Sequence, residues 1–197
     1  MLWEKEPPSY VMHFPFAYAA KNHGDKAKPL KAVAGAGMVV KREALERCGW
    51  ITEPFLADRV GKRLVSGGDM EIALRVGAHF EVWYNPACIL QHIIPERRTI
   101  KDYLQRIVYG LGASRHNVAA LSWKGSYFSW FLYSCAYSLG MLGMCVANCI
   151  ASKGRSAGSN VVFSPFFGWN AAIVSMLRMN PQKRKKLLGC VKKDTNL

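Results

Sequence analysis

The run Ser66-Gly67-Gly68-Asp69-Met70-Glu71-Ile72-Ala73-Leu74-Arg75 holds the residues of this chain best suited to chemistry. Two glycines let the backbone turn tightly and leave room beside it. An acid follows at once, and then Met70, Ala73, Leu74 and Val76 recur at helical spacing. Asp69 therefore stands at the first turn of a helix, in the space the glycines leave. A carboxylate so placed can act as a general base. It can equally be a helix N-cap, for which Asp is among the preferred residues.

The elements that must hold this turn can be read in part. Val33 to Val40 reads as a short buried strand interrupted by Gly35 and Gly37. Lys41 to Cys48 has helical spacing and stops at Gly49. A charged loop, Asp58 to Gly68, leads to Asp69, whose helix should end near Gly77. Phe80 to Tyr84 and Ile89 to Ile94 read as β-type runs. Thr99 with Asp102 resembles a capping box, opening a helix with the apolar face Ile100, Tyr103, Leu104, Ile107, Val108 and Leu111. Residues 1–34 are broken by Pro7, Pro8, Pro15 and Pro29, with a turn at Asn22-His23-Gly24-Asp25, and form a weakly patterned lead-in.

From Gly125 to Ser152 no residue is charged, and Arg115, Lys124, Lys153 and Arg155 flank the run. A bilayer core needs about 20 predominantly apolar residues as a helix. Trp123, Tyr127, Trp130 and Tyr133 lie near one end, where amphipathic rings suit the interface. Gly140 and Gly143, with Ser138, would permit close helix contact. The competing reading is a long buried helix in a soluble bundle; the length of the uncharged run favours the membrane. A second stretch, Ser156 to Leu177, is broken by Asn160, Pro165, Gly168 and Asn170. It reads as a membrane-surface or re-entrant segment held down by the basic tail.

The 197 residues are half apolar, which argues against disorder, and carry a formal charge of +14, which points to anionic partners. Arg178, Lys183, Arg184, Lys185, Lys186, Lys192 and Lys193 crowd the C-terminus, where Asp194 is the only acid. A basic tail beside an apolar region suits anionic lipid. It has no aromatic interleaving from Gln182 onward, so nucleic acid is not the expected partner. The six cysteines form no CxxC pair and read as reduced thiols of a cytosol-facing protein. Met1 to Pro8 carries charges and no apolar core, so no signal peptide is expected there.

Taken in order, a longer pattern emerges. Gly35-Ala36-Gly37-Met38 precedes a helix ending at Cys48-Gly49-Trp50; Ser66-Gly67-Gly68-Asp69 follows, with Leu74 and Arg75 behind it. Then come Trp83-Tyr84-Asn85-Pro86, His92, Ile94-Pro95, Arg98, Tyr103, Arg106, Gly110 and Ser114. Over residues 33–116 this order and spacing resemble the acceptor-side half of family 2 glycosyltransferases of the GT-A type. The resemblance implies an α/β fold: an incomplete GT-A sheet-and-helix domain over residues 33–118, ahead of a hydrophobic helical region at 119–180 and a basic tail at 181–197. It implies that Asp69 is the base of an inverting transfer and takes the proton of an acceptor hydroxyl. Gly35, Ala36, Gly37 and Gly68 match loops that pass close to the sugar. Arg75 either contacts substrate, pairs with a carboxylate or covers apolar surface with its stem. His92 matches a position that faces the metal or the diphosphate in some relatives, and is otherwise a surface residue. Arg97 and Arg98 either grip phosphate oxygens or are solvated charge.

The departures carry equal information. Such enzymes have a nucleotide-binding half whose Asp-x-Asp carboxylates hold Mg²⁺ or Mn²⁺, hard cations that want oxygen ligands. This chain has no Asp-x-Asp, no Gly-rich phosphate loop and few residues ahead of Gly35. It also lacks a Gln-x-x-Arg-Trp motif, which argues against a processive synthase. The expectation is the C-terminal portion of a longer enzyme at the membrane, its catalytic part facing the cytoplasm. Its partners would be a nucleotide-sugar donor, a hydroxyl acceptor, an anionic membrane surface and the missing N-terminal half. The alternative is a non-catalytic, membrane-anchored scaffold derived from that fold.

Overall fold

A computed structural model describes residues 2–18, 23–31, 33, 35–56, 64, 66–151 and 157–191. Asp58 to Arg63 of the charged loop, Asn22 of the 22–25 turn, the flanking Lys153 and Arg155, and Lys192 to Asp194 of the tail lie outside these residues.

Four strands of two residues each are found among the described residues: β1 (Leu2–Trp3), β2 (Lys28–Pro29), β3 (Trp83–Tyr84) and β4 (Ile93–Ile94). β1 pairs parallel with β4, and β2 pairs antiparallel with β3. The runs around 80–84 and 89–94 therefore form only stubs of the expected strands. Pro29 has no N–H to extend its ladder, and Pro95 follows β4 directly. The stretch from 35 to 40 is a turn and an extended segment, with Gly37 at φ 79° and Val39 almost fully exposed. A left-handed residue breaks the period of two that a strand needs. The described fold is dominated by helices and is not clearly α/β, so the expected GT-A sheet is not established.

Helices α1 (Arg42–Arg47) and α2 (Gly68–Val76) flank the 48–56 loop. α1 stops where Gly49 turns to φ 68°, as the sequence indicates. Ala44, Cys48 and Val76 form a small core with Leu45, Trp50, Ile72 and Phe80 against it. Asp69 and Glu71 in the first turn of α2 and Arg75 in the last suit the helix dipole.

Three long helices build the main core: α3 (Lys101–Leu121), α4 (Tyr127–Ile150) and α5 (Ser159–Arg178). Thr99 does not cap α3. Its hydroxyl donates to the Glu96 carbonyl (2.7 Å) within a 3-10 turn, and Ile100 takes the cap position with half its surface exposed. Leu104, Ile107 and Val108 are buried as their spacing indicates, and burying each such side chain stabilises by about 1.5–3 kcal/mol. Ser126 caps α4, its hydroxyl oxygen accepting from the Ser129 N–H (3.1 Å).

α3 and α5 run in the same direction. Leu104, Ile107 and Val108 cluster with Val161 and Val162, His116 meets Trp169, and Ala120 lies with Met176. α4 runs opposite to α5: Trp130 Nε1 points to Met176 Sδ (3.1 Å), Trp169 Nε1 donates to the Ser134 carbonyl (3.0 Å), and Cys145 Sγ donates to the Val162 carbonyl (3.2 Å). The stretch around 159–178 is thus one continuous helix despite Pro165, where the sequence suggested an interrupted segment. Its apparent breakers mark where backbones touch. A Cβ added at Gly112 of α3 would run into the Pro165 carbonyl, and one at Gly168 into the Tyr109 carbonyl. Gly140 and Gly143, expected to mediate close contact, face open space.

The lead-in also joins this core. Val11, Phe14, Ala17 and Tyr18 are buried against Ile94, Leu104 and Ile107 on two short 3-10 turns. A final helix, α6 (Pro181–Leu187), is capped by the Asn180 side chain and buries Leu187 beside Leu121 and Trp130.

Candidate functional site

Gly67 enters α2 at φ 149°, a conformation suited to glycine, and Gly68 is the first helical residue. Asp69 follows, half-buried. Its Oδ1 accepts from its neighbour, the Met70 N–H, and its Oδ2 from the Gly35 N–H, both at 2.8 Å. The first donors of a helix have no intrahelical partner, so the Met70 N–H gains one here. A Cβ on Gly35 would stand 3.0 Å from the Asp69 Cβ and 3.2 Å from Oδ2. Gly35, Ala36 and Gly37 are all exposed, and the turn closes through the Met38 N–H on the Gly35 carbonyl (3.1 Å). The structure thus brings the acid after the paired glycines against the 35–37 turn, across more than thirty residues of chain.

The turn before α2 is tied to α3. The Ser66 N–H donates to Ser114 Oγ (3.0 Å), and that hydroxyl donates to the Gly110 carbonyl (2.8 Å). Ser114 is buried, and its Cβ stands 3.7 Å from where a Cβ on Gly67 would be. Two residues of the sequence pattern, Gly110 and Ser114, therefore act by positioning the helix start.

Arg75 is placed differently from a substrate ligand. It is buried, and its guanidinium donates to Glu71 Oε1 (2.8 Å), to the Cys48 carbonyl from Nε (3.1 Å) and Nη2 (2.7 Å), and to the Glu53 carbonyl (2.8 Å). It also faces the Phe55 ring at 5.3 Å. Of the roles open in the sequence, the carboxylate partner is the one formed. Glu71 is fully buried and accepts from the Phe55 and Leu56 N–H groups (3.0 and 2.7 Å) as well. Sequence reasoning singled out Asp69 and passed over Glu71. Its signal was the Glu–Arg spacing of four, which puts both charges on one helix face.

His92 and Arg98 stand with the N-terminal segment. The His92 carbonyl accepts from the Leu2 N–H (2.9 Å), and the Arg98 carbonyl accepts from the Tyr18 hydroxyl (3.0 Å). Among the described residues, no contact joins either to Asp69, and no group of three His, Cys, Asp or Glu side chains could hold a metal ion. His92 therefore has no such companion ligands among the described residues.

α4 and α5 are long and apolar enough to cross a membrane. α4 buries Trp130, Ser134, Ser138, Met141 and Cys145 along one face and exposes Phe128, Leu132, Leu139, Met144, Val146 and Ile150. So large an apolar exposure marks an interaction surface. No protein family, curated protein or solved structure matches the chain.

Proposed function

We propose that this chain is the acceptor-side portion of an inverting glycosyltransferase working at a membrane, its catalytic part facing the cytoplasm, with Asp69 as general base. The acceptor oxygen attacks the anomeric carbon of a nucleotide sugar, and the bond from that carbon to the diphosphate breaks. The bonding pair leaves with the diphosphate, while the acceptor proton passes to the Asp69 carboxylate. The observation that carries this reading is the 2.8 Å contact of Asp69 with the exposed, side-chain-poor 35–37 turn. That contact holds one carboxylate oxygen against an exposed turn poor in side chains. Each carboxylate oxygen has a second lone pair, so capacity for a proton remains. The nucleotide-binding half, with the carboxylates for Mg²⁺ or Mn²⁺, would come from outside the described residues.

A non-catalytic membrane scaffold is the second reading. Its support is that both Asp69 oxygens already serve backbone N–H groups, as a purely structural helix start requires. The test is turnover of nucleotide sugars by the purified chain, alone and combined with a polypeptide carrying the missing half. Loss of turnover in Asp69→Asn with unchanged folding supports the base. Full activity in that variant overturns it, and absence of sugar-nucleotide binding by calorimetry favours the scaffold.

A further inference from the structure

We infer that the α3–α5 layer lies along the membrane plane with the outer face of α4 in the lipid, rather than crossing the bilayer; this rests on the membrane reading above. The reason is where the rest of the chain attaches. At one end of the bundle Phe55, Leu56 and Leu74 pack with Trp130, Met176 and Leu187, and Lys186 bonds Glu53 (2.9 Å). At the other end Val11, Phe14, Ala17, Tyr18 and Ile94 pack with Cys145, Ala157, Val161 and Val162. Beside that second group lie the exposed Lys5–Glu96 pair (2.7 Å) and the start of α3 at Lys101.

At 1.5 Å per residue, α5 spans about 30 Å, which is about the thickness of the hydrocarbon core. An upright bundle would therefore place the two attachments at opposite membrane surfaces. The irregular chain joining them, through β3 and β4, would then stand at bilayer depth. Hydrocarbon does not tolerate exposed irregular backbone or paired surface charge of this kind. Lying flat removes the conflict. Exposed charge collects on α3, at Lys101, Asp102, Arg106 and Arg115, while the exposed face of α4 is wholly uncharged. Lys124 before α4, and Arg178 and Lys183 near the end of α5, are exposed cations at one end of the layer. That combination fits an anionic phospholipid bilayer entered from one side, to the depth of one helix face.

Lys124→Cys and Ala151→Cys flank α4 directly and test this in the full chain, each in a Cys88→Ser background. Sealed membrane vesicles of both orientations are treated with an impermeant polyethylene-glycol maleimide before and after detergent, and the added gel shift is read. Both positions are expected to label from the same side. Labelling from opposite sides overturns the in-plane arrangement while leaving membrane attachment intact. Recovery of the chain as a detergent-free monomer in the supernatant overturns the membrane reading itself.

Discussion

Glu71 Oε1 and Arg75 Nη1 meet at 2.8 Å inside the molecule, one turn apart on α2, with the glutamate side chain wholly buried and the arginine nearly so. Neither charge is left bare. Glu71 collects the N–H groups of Phe55 and Leu56, and Arg75 takes the carbonyls of Cys48 and Glu53. This network fastens the 48–56 loop to the helix that carries Asp69.

Removing one partner of a buried pair strands the other charge, at a typical cost of about 3–5 kcal/mol. Glu71→Ala is expected to lower the urea midpoint of unfolding by the equivalent of that range. Arg75→Ala should do the same. The double variant Glu71→Ala with Arg75→Ala should lose less than the sum, because no charge is left stranded. An additive double-mutant cycle would show that the pair is not coupled.

Gly35→Ala addresses the candidate site while leaving the acid itself unsubstituted. The new Cβ meets the Asp69 side chain at 3.0 Å, closer than nearly all Cβ contacts. Gly35 is exposed, so stability should change by less than about 0.5 kcal/mol, as for an ordinary surface substitution. If Asp69 is the base, nucleotide-sugar turnover in the complete enzyme should fall, because the carboxylate must give way by a few tenths of an ångström and loses its placement on the Gly35 N–H. Unchanged turnover would separate the 35–37 turn from the chemistry.

The two glycine pairs of the helical layer should respond with opposite signs. Gly112→Ala and Gly168→Ala drive a methyl into the facing backbone and should destabilise by about 1–3 kcal/mol or more. Gly140→Ala and Gly143→Ala meet nothing within 4 Å and should stabilise α4, by up to about 1 kcal/mol each from helix propensity. Melting temperatures of the four single variants in detergent decide it.

His116 supplies a pH signature. It is buried on α3 between the rings of Trp130 and Trp169, 5.0 Å from each, with Nε2 3.2 Å from Ser134 Oγ. Burial lowers its pKa from 6.5 to about 4. Above pH 6.5 the imidazole is neutral in both folded and unfolded chains, and the fold has its full stability from this group. As pH falls below that value, the unfolded chain takes a proton that the folded chain refuses. Stability should therefore decline between pH 6.5 and about 4, by about 3 kcal/mol in total. Urea melts across this window should show the decline in the parent chain and its loss in His116→Gln.

The sequence by itself determined the local units of this protein. α1 with its stop at Gly49, α2 opening after Gly67, the buried face of α3 and the uncharged length of α4 follow from periodicity and glycine conformation, which act within a few residues. Tertiary structure decided the rest. Val11, Phe14 and Tyr18 are core residues on and between two 3-10 turns; their i, i+3, i+7 spacing is that of a helix face, but Pro15 interrupts the run, so it did not read as a helix. Pro165 and Gly168 looked like helix breakers, but α3 and α5 approach so closely there that Gly168, and Gly112 facing the Pro165 backbone, leave no room for a Cβ. Arg75 had several chemistries open to it until Glu71 and two loop carbonyls, of Cys48 and Glu53, enclosed it. Asp69 meets Gly35, a residue far away in the chain, only because the fold brings the 35–37 turn to the start of α2. Side-chain chemistry is written locally, but which groups meet depends on long-range packing, and no window of a few residues contains that information.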